Sequence, residues 1–320
     1  MMKSTGAFIN ISRSTAVFYA VTLVITLGIA FPETAYADRK GKKQDLVFFG
    51  DSLSDTGNRY FDEGSMNTPP YALAAAQNLI PSLPYAIGGP TYTNGQPWVE
   101  YVARAIGRGG ASQAALRSNG IAANYAYAGA RASNAPPLPP NTNRNLGDQV
   151  VQYLADAGPG GISADTLHVI LIGGNDIGDA IFLASVGGDP TMVLQNAIES
   201  VFNNALALAQ AGARRFLFLT TPNAGYIPAF GGNPLAIDLG DQLAFGFNCA
   251  VVGITPTFDC PFLPPAIPDT VAGTLTGLFN AEIAVFDSKA LLDDMVENPG
   301  NYGLSNTSDH CIKPIEPPFR

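Results

Sequence analysis

The sequence predicts a three-layer α/β domain, a parallel sheet with helices on both faces, and three observations predict it. Short apolar runs that read as buried strands alternate along the chain with segments of helical periodicity, the pattern of strand–helix–strand units. The strongest runs end abruptly in glycine or in a Gly/Asn/Asp cluster, as strands do where the chain turns towards a helix. Of the 320 residues, 47% are apolar and only 13% charged, and no Gly/Ser-rich or charged linker divides them. One large core is therefore expected.

Taken in order, "DLVFFG" (Asp45–Gly50) is an apolar run closed by glycine and predicts the first strand. "WVEYVARAIG" places Val99, Val102, Ala103 and Ile106 on one helical face. "NYAYAGA" (Asn124–Ala130) reads as a second short strand, and "LGDQVVQYLA" has Leu146, Val150 and Leu154 at helical spacing. "LHVILIGG" (Leu167–Gly174) is a strongly apolar strand ending in paired glycines. Thr191–Ala211 predicts a long Ala/Leu-rich helix capped by Gly212, followed by a buried strand in "RRFLFLTTP" (Arg214–Pro222). The Pro228–Pro268 stretch, rich in Gly, Pro and aromatic residues, reads as an irregular surface excursion. Thr270–Asn280 predicts a helix, "IAVFD" (Ile283–Asp287) a last strand, and "SKALLDDMVENP" a helix that stops before Pro299.

The N-terminus reads as an export signal rather than as part of this fold. Lys3 and Arg13 precede the apolar run from Ala16 to Phe31, Pro32 breaks it, and "AYA" at Ala35–Ala37 supplies small residues at a cleavage site. The run is short for a membrane span of about 20 residues. The expected organisation is a signal peptide over 1–37, a single α/β domain over 38–320, no stable transmembrane anchor and an exported location. Three cysteines follow: Cys249, Cys260 and Cys311. In an oxidising compartment Cys249 and Cys260 could bridge across a loop; the alternative is three buried thiols.

A net charge of −9 leaves no basic stripe for a phosphate backbone, so nucleic acid is not an expected partner. The two histidines, with no cysteine pair at zinc spacing, argue against a metal site, and no phosphate-binding or dinucleotide fingerprint is present. Neither cofactor nor metal is expected.

In a parallel sheet, chemistry collects beyond the C-terminal strand ends. Three such ends carry suggestive groups. "FFGDSLSDTGN" puts Ser52 just past the Gly50 turn, opening a helix, either as an exposed nucleophile or as one of several good capping residues. "NYAYAGARAS" puts Gly129 at a turn, where a bare backbone N–H can approach a ligand or simply serve the turn. "IGGNDIGD" puts Asn175 after Gly173 and Gly174, as an amide donor or as a helix cap.

Together and in this order, these three blocks resemble the SGNH or GDSL family of serine esterases and lipases. "TYTNGQPWVEYVARAIG", "GARRFLFLTTPNAGYIPAF" and "FDSKALLDDMVENPGNYGLSN" are similar to its bacterial secreted lipase, phospholipase and haemolysin-like branch. The resemblance covers about Leu46 to Cys311. It implies a flavodoxin-like α/β/α hydrolase fold, with Ser52 as nucleophile and the N–H groups of Ser52 and Gly129 plus the Asn175 amide as oxyanion hole. The absence of G-x-S-x-G sets it apart from the α/β-hydrolase elbow.

The family also carries a D-x-x-H block near its C-terminus, and here the pattern departs. His168 lies inside a strand and reads as structural. His310 follows Asp309, but the residue three before it is Thr307. "YGLSNTSDHCI" resembles the stretch ahead of that last block, where Cys311 would ordinarily find a partner, so the acid–base segment is expected to be missing. The resemblance and this departure from it imply two readings. One is a secreted carboxylic-ester hydrolase of small-molecule or lipid esters, using His310 as base. The other is a catalytically weak homologue that binds lipid or glycan. Hydrolysis and acyl transfer both fit the oxyanion chemistry.

Overall fold

The computed structural model describes residues 45–62, 91–93, 95–117, 123–138, 143–227, 230, 232–253 and 260–308. The expected signal segment 1–37, His310 and Cys311 lie outside the described residues.

Among the described residues four strands form one sheet: β1 (Leu46–Gly50), β2 (Leu167–Leu171), β3 (Arg215–Leu219) and β4 (Glu282–Phe286). They lie side by side in chain order and pair in parallel throughout. Helices supply the crossovers, α1 (Asn58–Asp62), α2 (Trp98–Ala105), α3 (Leu146–Ala157), α4 (Gly174–Ser185), α5 (Thr191–Gln210), α6 (Pro234–Val252) and α7 (Val271–Phe279), and α8 (Ser288–Glu297) follows β4. The long helix stops at Gln210, with Ala211 as its cap and Gly212 at φ +116° turning the chain towards β3. Asp287 and Thr270 cap α8 and α7 through their side chains.

Both sheet faces are covered at β1. Phe48 meets Trp98 of α2 edge-on at 5.8 Å, while Phe49 meets Tyr153 of α3 at 5.6 Å from the other side. Alternate residues of one strand must point to opposite faces, so these two contacts place α2 and α3 in different layers. The row Phe49–Ile170–Phe218 continues the α3 face, and Val201 of α5 with Phe247 and Val251 of α6 closes around Ile170 and Phe218. The opposite row, Phe48–Val169–Leu217–Ala284, passes from buried to half-buried towards β4.

Two expectations need correction. The segment at Asn124–Ala130 is not a regular strand, although it runs beside β1 as an extended parallel edge. Phe48 N–H donates to Ala123 O (2.9 Å), Tyr125 N–H to Phe48 O (2.8 Å) and Tyr127 N–H to Gly50 O (3.0 Å). Side chains take two of the intervening groups: Ala126 N–H donates to Asn124 Oδ1 (3.0 Å) and Ala128 N–H to Asp55 Oδ2 (2.9 Å). Counting this edge, the second extended segment in the chain lies outside the first, the 2-1-3-4-5 arrangement of flavodoxin-like sheets.

The second correction concerns the Pro228–Pro268 stretch, which contains α6, a helix of 19 residues. Its proline, Pro234, stands at the first helical position, where no N–H is needed, and Asn233 caps it by accepting the Leu235 N–H. Its glycines serve packing. A Cβ on Gly240 would lie 2.2 Å from Asn223 Oδ1, and one on Gly246 would lie 2.1 Å from the Phe262 ring. By length and composition α6 could cross a membrane, yet 56% of that stretch is buried inside the fold, against α4, α5 and α7.

Cys249 of α6 and Cys260 form a disulfide with Cα atoms 5.5 Å apart and a sequence separation of 11. Closing a loop of that size restricts the unfolded chain by about 3 kcal/mol. Reduction is therefore expected to lower the unfolding free energy by about 2–3 kcal/mol in urea titrations. An unchanged midpoint, with both thiols shown to be free, would contradict this.

Candidate active site

One row across the sheet organises the site. Gly50, the last residue of β1, pairs with Leu171 on one side and accepts the Tyr127 N–H on the other. The chain leaves all three segments at the same edge, so Ser52, Gly129 and Asn175 follow neighbouring C-terminal strand ends. Nothing larger than glycine fits at the row's centre, because a Cβ on Gly50 would lie 2.4 Å from Leu171 O. Gln149 of α3 fixes this residue from both sides. Gly50 N–H donates to Gln149 Oε1 (2.9 Å), and Gln149 Nε2 donates to Gly50 O (2.8 Å).

Ser52 does not open a helix, as the motif led us to expect. It lies in a single turn in which Asp51 O accepts both the Ser54 and the Asp55 N–H (3.0 Å each). Asp51 Oδ1 accepts the Leu53 N–H at 3.0 Å. The turn stops there because Asp55 diverts the backbone, accepting N–H groups from Gly57 (2.7 Å) and Asn58 (2.6 Å) and so starting α1. Ser52 is half-buried. Neither its N–H nor its Oγ is engaged in a hydrogen bond among the described residues.

Gly129 turns the chain at φ +77°, a conformation that favours glycine. A side chain would also collide there, its Cβ falling 2.6 Å from Asn143 Nδ2 and 3.0 Å from an Arg59 guanidinium nitrogen. Its carbonyl accepts from Asn143 Nδ2 (2.7 Å), while its N–H makes no hydrogen bond among the described residues. Asn175 lies in the first turn of α4, after Gly173 in the left-handed region at φ +112°. The Phe247 ring and Thr221 press on Gly173 so closely that a Cβ would meet them at 2.6 and 3.2 Å. Asn175 Nδ2 donates one hydrogen to Ala130 O at 2.7 Å, and an amide nitrogen has a second to offer. That contact brings the Asn175 amide within one residue of Gly129.

His168 is placed elsewhere. It is fully buried in β2, paired in register with Val47 and Phe216, three residues before Leu171 and so about 10 Å along the strand from the C-terminal edge. Tyr153 Oη lies 3.2 Å from Nε2 and Arg215 O lies 3.2 Å from Nδ1, so both ring nitrogens have partners. Burial holds its pKa down at about 4, which keeps the ring neutral.

Three buried carboxyls surround the site without having been singled out from sequence: Asp51, Asp55 and Asp176. Desolvation raises them to about 6, 6 and 7 respectively. In the unfolded chain they titrate near 3.8, so between pH 4 and 7 the folded state holds more protons. Their contribution to stability is present at the acid end of that window and is lost as pH rises through 6–7. His168 acts in the opposite sense, since the unfolded chain binds its proton between pH 6.5 and 4. One histidine opposes three carboxyls, so the net expectation is a lower urea midpoint at pH 7.5 than at pH 5. A higher midpoint at pH 7.5 would contradict it.

Among the described residues no three His, Cys, Asp or Glu side chains gather as a metal-binding group. The arrangement offers a hydroxyl, two unengaged backbone N–H groups and a side-chain amide at one sheet edge. That set suits an attack on a carbonyl carbon with stabilisation of the resulting oxyanion. A family model described as GDSL-like lipase/acylhydrolase matches residues 46–283. The chain is also similar to an acetylesterase of Thermothelomyces thermophilus, with 32% identity over 194 residues. The matched segment is 58% of this chain and spans 55% of the relative's length.

Proposed function

Since the chain belongs to the GDSL-like lipase/acylhydrolase family, we propose that it is an exported serine hydrolase of carboxylic esters in which Ser52 is the nucleophile. Ser52 Oγ attacks the ester carbonyl carbon and loses its proton to a base. The carbonyl oxygen becomes an alkoxide within reach of the Ser52 N–H, the Gly129 N–H and the free hydrogen on Asn175 Nδ2. Collapse expels the alcohol and leaves an acyl-Ser52 ester, which water then cleaves. Donors fixed beforehand stabilise the alkoxide more than the ground-state carbonyl, and that difference is what accelerates the reaction.

One observation carries this reading: Asn175 Nδ2 is bonded to Ala130 O, beside Gly129, on the edge where Ser52 leaves the Gly50–Leu171 row. The acetylesterase relative supports short acyl groups as substrates. The signal-like N-terminus and the Cys249–Cys260 disulfide support export to an oxidising compartment. With His168 committed to Tyr153 and Arg215 O, His310 is the histidine in this sequence left to test as base. The second reading, a binding protein with weak turnover, is favoured by one feature: His168 is buried within β2 and held by Tyr153 Oη and Arg215 O rather than turned towards Ser52.

The experiment is a comparison of initial rates on p-nitrophenyl acetate, an acetylated oligosaccharide and phosphatidylcholine, with wild type and His310→Ala. Rapid acetate release that His310→Ala abolishes supports the hydrolase with His310 as base. Binding of these ligands without release from any of them supports the second reading.

A further inference from the structure

We propose that Asp55 and Asp176 are positioning residues that clamp the 128–133 loop and thereby set the oxyanion donors; this rests on the hydrolase reading above. The loop contains one donor, Gly129, and its Ala130 carbonyl holds the other, Asn175. At its start the Ala128 N–H, next to Gly129, donates to Asp55 Oδ2 at 2.9 Å. At its end the Ala132 and Ser133 N–H groups donate to the two Asp176 oxygens at 2.8 and 3.2 Å, and Asp176 is the residue after Asn175. Between these anchors, Arg131 N–H donates to Asn145 Oδ1 (2.8 Å) and Ala130 O accepts from Asn175 itself. Both carboxyls are 1% exposed, so solvent offers the loop's N–H groups no competing partner.

Capping does not account for these contacts. Asp55 satisfies the start of α1 with Oδ1 through Gly57 and Asn58 and with Oδ2 through Arg59 (3.2 Å), yet Oδ2 makes a shorter bond to Ala128, a residue far along the chain. Asp176 sits in the first turn of α4, yet its oxygens reach out of the helix to the loop. A carboxylate is the side chain for this task because both of its oxygens accept. Asparagine keeps the shape but turns one acceptor into a donor, which would face an N–H. The loop would then shift where Gly129 and Asn175 need fixed geometry, and displacements of about 1 Å at such sites can lower rates about 10²-fold.

The test compares wild type with Asp55→Asn, Asp176→Asn, the double variant and Tyr153→Phe. Tyr153→Phe removes the hydroxyl beside His168 and serves as a control that loses stability away from the site. Each Asn variant is expected to lower kcat on p-nitrophenyl acetate by about 10- to 100-fold with KM within about threefold. The double variant is expected to lose less than the product of the two, since both residues hold one loop. Tyr153→Phe is expected to lower Tm and leave kcat unchanged. Where an Asn variant does not fold, amide exchange on the wild type decides: the Ala128, Ala132 and Ser133 N–H groups should exchange as slowly as those of β1.

Ser52-dependent turnover in wild type, combined with kcat within twofold in folded Asn variants, would overturn the clamp and leave the hydrolase standing. So would loop-like exchange of those three amides. No Ser52-dependent turnover in wild type would overturn both.

Discussion

Ser52→Ala is expected to abolish ester hydrolysis, lowering kcat by about 10⁴- to 10⁶-fold on p-nitrophenyl acetate. Removing the nucleophile leaves only binding and the oxyanion donors, which retain a small residual rate over water. The structure lets this substitution be read cleanly. Ser52 Oγ engages no described partner, and the turn that carries it is held by Asp51 O, Asp51 Oδ1 and Asp55, none of which depends on the hydroxyl. Tm should therefore stay within about 2 °C of wild type, as for a surface change of less than about 0.5 kcal/mol. A Ser52→Ala protein that keeps a tenth or more of wild-type kcat would show that the hydroxyl is not the attacking group.

Asn175→Ala is the second large effect. Loss of one oxyanion donor typically lowers turnover by about 10²–10³-fold, equivalent to about 2.7–4 kcal/mol of transition-state stabilisation. The same substitution frees Ala130 O from its 2.7 Å bond, which costs about 1 kcal/mol of stability. Asn175→Asp separates the two contributions. It preserves shape but sets a carboxylate against Ala130 O and against the developing alkoxide, so kcat should fall at least as far as in Asn175→Ala. Because the donors act on the transition state, KM should move little in either variant. An Asn175→Asp enzyme as fast as wild type would remove Asn175 from the oxyanion hole.

Much of this site is legible in the sequence because strand ends announce themselves. Gly50, Gly129 and the Gly173–Gly174 pair each follow an apolar run, and in a parallel sheet such positions converge on one edge. The residues that hold the site together left no such signal. Gln149 grips Gly50 from a helix that reads as ordinary amphipathic sequence, and Asp55 reaches Ala128 across 73 positions. Long-range bonds of this kind have no local periodicity to reveal them. The same blindness hid α6. Pro234, Gly240 and Gly246 look like breakers in sequence, whereas in the fold the proline starts the helix and the glycines admit Asn223 and Phe262. Asn124–Ala130 failed in the other direction: its apolar alternation suits a strand, but Asn124 and Asp55 intercept two of its N–H groups.

The half-buried Ser52 hydroxyl, which engages no described residue, is the centre of the account, and covalent capture tests it most directly. Full-length protein would be treated with a fluorophosphonate, whose phosphoryl oxygen occupies the place of the substrate oxyanion, and the adduct mapped by peptide mass spectrometry. The account predicts one adduct per chain, on Ser52, forming at least tenfold more slowly in Asn175→Ala. Labelling at another residue, or a Ser52 adduct whose rate ignores Asn175, would contradict it.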